Sequence, residues 1–146
     1  MYKPNYFELY EFLPKDFYNE MYPVHGEKLW LMWPRELLWT AYKLRVVYGK
    51  MQGNTWYDKP ENQESCQWRG WRPVDCPVGA KLSDHKWGRA LDLFPLETTA
   101  DAIRWDCLQH PHEPLFTHIT AIEEKVPWFH FAIRNHDKIY QGIQVF

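Results

Sequence analysis

Sulfur is scarce in this chain of 146 residues, which argues against a disulfide-stapled scaffold. Its three cysteines, Cys66, Cys76 and Cys107, form no C-x-x-C pair, and an odd number cannot close a framework. They are expected reduced, with Cys66 to Cys76 the one pairing worth testing. Excess charge is missing too. The formal net charge is -2, and the basic residues lie scattered among acids, so there is no electrostatic footprint for nucleic acid. No stretch approaches the roughly 20 apolar residues of a membrane span. The start, Met1-Tyr2-Lys3-Pro4-Asn5, lacks the basic-then-apolar pattern of a signal peptide, so synthesis in a cytoplasm is expected. No internal repeat or low-complexity tract divides the chain. Its length suits one domain, 1–146, with residues 1–33 as a wrapping segment and 34–146 as the core.

Aromatics are what the chain has in abundance: nine tryptophans, nine tyrosines and eight phenylalanines. Such rings supply large packing area and could also line a groove for sugar or peptide. Core packing is the weightier assignment.

The pattern predicts a helical front and a sheet-like back, an α+β fold with a small antiparallel sheet packed against helices. Residues 5–25 mix aromatics with Pro14 and Pro23, so any helix there is short and bounded. Leu37, Leu38, Ala41, Leu44, Val47 and Tyr48 recur at helical spacing between Pro34 and Gly49, which suit a helix start and stop. Residues 51–57 read as a strand, 58–65 as a polar loop, and 73–83 as a second irregular stretch. In 89–94, Ala90 and Asp92 point one way and Leu91 and Leu93 the other. In 128–133, Phe129, Phe131 and Ile133 share one face, and Trp128, His130 and Ala132 the opposite one. Residues 99–109 form a helix between these strands, capped by Thr98 or Thr99, with Pro111 beyond its end. Residues 116–122 form a further strand, and 138–146 close the sheet.

Chemistry concentrates in Ser83-Asp84-His85-Lys86-Trp87-Gly88-Arg89-Ala90-Leu91-Asp92. His85 and Asp92 stand seven residues apart with a glycine and a small residue between them, so a tight turn brings both side chains to one point. Zinc accepts imidazole nitrogen and carboxylate oxygen, and a site with three protein ligands keeps one position open for water. His130, in Trp128-Phe129-His130-Phe131, offers the third ligand. Manganese or iron also suits a set of two histidines and one carboxylate. His110, His112, His118 and His136 lack partner spacing, with His118 the best of them for a site edge. Cys76 is a spare soft ligand without a second cysteine to support it.

Ser83-x-His85-x-x-Gly88-x-Ala90-x-Asp92, preceded by Arg69-Gly70-Trp71-Arg72-Pro73 and followed by Trp128-Phe129-His130, resembles the D-Ala-D-Ala carboxypeptidase superfamily of zinc metallopeptidases. That superfamily includes the zinc-binding signalling domain of hedgehog proteins. The similarity runs from about Leu37 to Arg134 and is closest to small phage-encoded peptidoglycan peptidases. The resemblance implies a zinc site on the open face of the sheet, with one Zn2+ per chain held by His85, Asp92 and His130. It implies a supporting role for Ser83 and places Arg72 opposite the substrate or its carboxylate. It further implies hydrolysis of an amide bond in a peptidoglycan stem or cross-link peptide. The setting would be a lytic enzyme released to the cell wall by a holin or carried in a virion among other virion proteins.

Two positions depart from the family pattern. Several branches place an acid three residues before the last histidine, where this chain has Pro127, and phage relatives read H-x-D where it has Ala132. Two general bases then stand open, Glu123 and Glu124. Parity along one continuous strand puts Glu124 on the face of His130, although Pro127 could introduce a bulge that resets the register. Loss of the base would leave an alternative, a zinc-binding structural component of a phage particle.

Overall fold

The structure is a computed structural model that describes residues 1–58, 66–135 and 142–146. Three α-helices, α1 (Lys15–His25), α2 (Arg35–Tyr48) and α3 (Ala100–Gln109), accompany five strands. These are β1 (Met51–Gln52), β2 (Ala90–Pro95), β3 (Ala121–Ile122), β4 (Phe129–Ala132) and β5 (Gln144–Val145). They form one sheet in the order β1-β2-β4-β3-β5, antiparallel except for the β3 and β5 pair. The fold is α+β, as the alternation of patterns predicts.

Alternation is also what seats the sheet. Leu91, Leu93, Phe129 and Phe131 face the core and are fully buried, with α2 and α3 packed against β2 and β4. Helix α2 contributes Leu37, Leu38, Ala41 and Leu44 to that core, starts after Pro34 and stops at Gly49. Val47, expected on the same stripe, is instead 59 % exposed. Helix α3 is capped by Thr99, whose Oγ1 accepts from the Ala102 amide at 3.2 Å.

Aromatic rings from the first 33 residues complete the interior. Phe7, Phe12, Trp30 and Trp33 are all buried, and Phe12 meets Trp30 and Trp33 edge-on at 5.8 Å. Helix α1 runs through Pro23 rather than ending before it. A proline near the end of a helix forfeits one backbone bond without stopping the turn.

Two predicted strands are shorter than their patterns. Only Met51 and Gln52 of 51–57 pair, because Asn54 turns inward: its amide donates to the Glu11 carbonyl and its Nδ2 to the Leu13 carbonyl. Only Ala121 and Ile122 of 116–122 pair, and the stretch before them is a series of turns. Of 138–146, β5 does join the sheet, while 138–141 lie outside the described residues, as does most of the 58–65 loop. All three cysteines are free thiols.

Candidate metal centre

Sheet register does the first part of the assembly. Strands β2 and β4 pair with Asp92 directly opposite His130, so both side chains stand on the face away from the helices. His85 arrives from a short 3-10 turn, Asp84–Trp87, which ends at Gly88. Gly88 has φ +64° and its missing Cβ would stand 2.2 Å from the Met32 carbonyl oxygen, so the turn between His85 and Asp92 requires glycine on both counts.

Three electron-pair donors converge there. His85 Nε2 and His130 Nδ1 are 3.2 Å apart, and Asp92 Oδ1 lies 3.2 Å from the first and 2.6 Å from the second. All three residues are buried. His85 Nδ1 is 2.7 Å from the Gly70 carbonyl, which accepts its proton and leaves the Nε2 lone pair aimed at the other two atoms. Converging lone pairs repel unless a cation sits among them. Ligand atoms bonded at about 2.0–2.2 Å to a tetrahedral ion stand about 3.3 Å apart, close to two sides of this triangle. His85, Asp92 and His130 therefore form a group able to hold a metal ion.

The surroundings prepare the carboxylate for that task. Burial pushes the Asp92 carboxyl upward, but the His85 and His130 rings in their proton-bearing forms outweigh it and hold the group well below the usual carboxylate range; a cation among the three atoms would take the place of those protons. Arg72 completes the arrangement. Its Nη2 donates to Asp92 Oδ2 at 2.9 Å and its Nε to the Trp68 carbonyl at 2.6 Å. Arg72 is thus bound to Asp92, with Nη1 under Gly79 at the cleft wall, where a Cβ on that glycine would come within 2.5 Å of it.

A cleft of about 530 Å³ opens over the group, lined by its three residues, Arg72, Ser83, Glu123, Trp128 and Arg134 among others. Ser83 sits at the start of the 3-10 turn, where its carbonyl accepts from the Lys86 amide. The two candidate bases separate cleanly. Glu123 lines the cleft, whereas Glu124 points outward beside Lys125 at 3.3 Å. Parity along one strand fails here because the chain reverses. β3 and β4 pair Ala121 with Ala132 and Ile122 with Phe131, and the next step of that register brings Glu123 opposite His130.

Several other candidates lie elsewhere. His118 packs edge-on against Trp39 of α2 and does not line the cleft. His110 lies between Asp106 and Glu113, 3.9 Å from each. His136 is outside the described residues, and Cys76 is buried but not in the metal-holding group. Ala132 closes against Ala90 and Ala121, so no acid occupies that part of the face.

Three contributors were not legible in the pattern. Arg134 donates from Nε to Asp84 at 2.8 Å and stacks over the Phe146 ring at 5.0 Å. Phe146 in turn packs edge-on to His130 at 5.3 Å. Arg104, a residue of α3, reaches the loop that carries Glu123. Only the neighbourhood of Arg134 to His130, four residues on and just past the end of β4, could have suggested the first.

Gly70 joins the metal group to the amino-terminal core. A Cβ there would stand 2.1 Å from the Phe12 carbonyl oxygen, and the Gly70 carbonyl orients His85. Gly70→Ala is expected to cost about 1–3 kcal/mol or more through overpacking. It should also weaken metal binding about 10–100-fold through the displaced histidine partner. Thermal melts and zinc titration against a competing chelator measure the two effects; wild-type values in both would reject this account of Gly70.

Comparison with protein-family models, with curated proteins and with solved structures returns no match for this chain. Among the described residues, no helix is long and apolar enough to cross a membrane.

Proposed function

We propose that the chain is a zinc-dependent peptidase acting on an amide bond of peptidoglycan stem or cross-link peptides. The observation that carries this reading is the presence of Glu123, an unburied carboxylate, in the same cleft as His85, Asp92 and His130. The sequence resemblance to phage peptidoglycan peptidases supplies the substrate class and the setting, release to the cell wall or carriage in a virion. Two imidazoles and one carboxylate suit zinc by ligand type and leave a coordination position open.

When bound, zinc polarises a carbonyl and brings the pKa of water to about 7. The protein's own groups do the rest. Asp92, ionised and braced by Arg72, fixes the geometry, and His85 is locked by Gly70 in the tautomer that offers Nε2. Glu123 accepts a proton from the attacking water and returns it to the leaving amine, the work of one general acid and base. Arg72 acts through Asp92 in this scheme. Arg134 is the more exposed cation in the cleft.

Digestion of peptidoglycan by zinc-loaded protein, with mass analysis of the released peptides, tests the reading. The expected result is a soluble peptide with a new amino terminus, absent after chelation. Ala132, in a packed alanine cluster where an acid would stand in phage relatives, favours a second reading, a zinc-binding structural part of a phage particle. No product from zinc-loaded protein would select it.

A further inference from the structure

The turn that presents Glu123 is closed by a side chain from another element. Residues 123–128 link β3 to β4, and no backbone hydrogen bond joins one residue of this stretch to another. Their carbonyls converge instead on the Arg104 guanidinium of α3. Nε donates to the Glu123 carbonyl at 2.7 Å, and Nη2 donates to the carbonyls of Val126 and Trp128, each at 2.6 Å. Nη1 is braced by Asp101, one turn earlier on the same helix. Arg104 is only 6 % exposed although it belongs to a surface helix. Lysine would not substitute, since a rigid fork with five donors serves several acceptors at once and an ammonium is a single point.

This arrangement has a directional consequence. The loop leaves β3 immediately after Ile122 and re-enters the sheet at Phe129, so small changes in its path rotate Glu123 and Glu124 about the strand axis. One bond fixes the Glu123 carbonyl toward α3. The Glu124 amide is fixed on the other side by the Phe146 carbonyl at 2.8 Å. His130 is held independently, by its ladder with β2. Arg104 bonds the Glu123 carbonyl itself and meets the His130 strand only through the Trp128 carbonyl, two residues before the histidine.

We infer that Arg104 is the positioning residue for Glu123, holding the β3–β4 turn in the one path that aims this carboxylate, rather than that of Glu124, into the metal cleft. The inference rests on the reading of Glu123 as the base.

The test compares Arg104→Ala and Arg104→Lys with the parent protein, alone and combined with Glu123→Gln. Both variants should keep one zinc per chain, because His130 is seated by its ladder with β2. Arg104→Lys, which conserves the charge, guards against simple unfolding and should keep a cooperative melt. kcat is expected to fall about 100-fold, as for a reacting group displaced by about an ångström, with KM changed less than about threefold. In the Glu123→Gln background the same substitutions should cost nothing further. An equal loss in both backgrounds would overturn the inference while leaving the peptidase reading intact.

A second readout needs no turnover. With glutamate labelled at the carboxyl carbon, the Glu123 resonance should move as zinc is added to the parent protein and stay still in Arg104→Lys, with Glu124 still in both. An undiminished Glu123 response in the variant would refute the positioning role, even for a protein that cleaves nothing.

Discussion

Replacing either His85 or His130 by alanine is expected to remove the metal and, with it, all hydrolysis. Each supplies one corner of a triangle whose sides are 2.6 to 3.2 Å, and no other histidine, cysteine or acid among the described residues stands near enough to replace it. Parent protein should carry one zinc per chain. Because the ion binds the folded chain and not the unfolded one, that zinc should raise the melting temperature, and both variants should lose the increment. Asp92→Asn should behave worse than either histidine variant. It removes the ion pair of Arg72, a guanidinium 8 % exposed, and stranding one partner of a buried pair costs about 3–5 kcal/mol. Metal analysis and melts with and without chelator decide the matter. Full zinc content in both histidine variants would sink the ligand assignment.

Glu123→Gln and Glu124→Gln should part company by orders of magnitude. Glu123 lines the same cleft as His130, so loss of its proton-accepting oxygen should lower kcat about 100- to 10,000-fold with zinc content unchanged. Glu124 points outward beside Lys125 and is half exposed, so its amide variant should remain within about twofold of the parent, the usual range for a surface change. Release of peptides from purified peptidoglycan measures both. The reverse order would mean that the turn runs differently from the path described, and equal activity in all three proteins would remove the general-base role altogether.

Much of the site was legible as pattern because its parts are local. The two strands that carry Asp92 and His130 alternate strictly, and Leu91, Leu93, Phe129 and Phe131 leave only one face for the core. Thr99 and Gly49 mark helix ends by chemistry that acts within one turn. The alternating patterns of 51–57 and 116–122 overstate the strands they contain, for two different reasons. Asn54 finds its partners far away in sequence, at Glu11 and Leu13, whereas the amides of Phe116 and Ile119 bond carbonyls only three residues back, in turns.

The candidate donor set was written in the chain itself: a tight turn between His85 and Asp92, and a histidine on the polar side of an alternating strand, are short-range properties. Which glutamate faces the cleft, and which acid Arg72 serves, depended on tertiary structure. A reversing chain resets side-chain parity at every turn, and the path of this turn is held by a guanidinium from α3, about 20 residues away along the chain, a contact that exists only once the sheet and helix have packed.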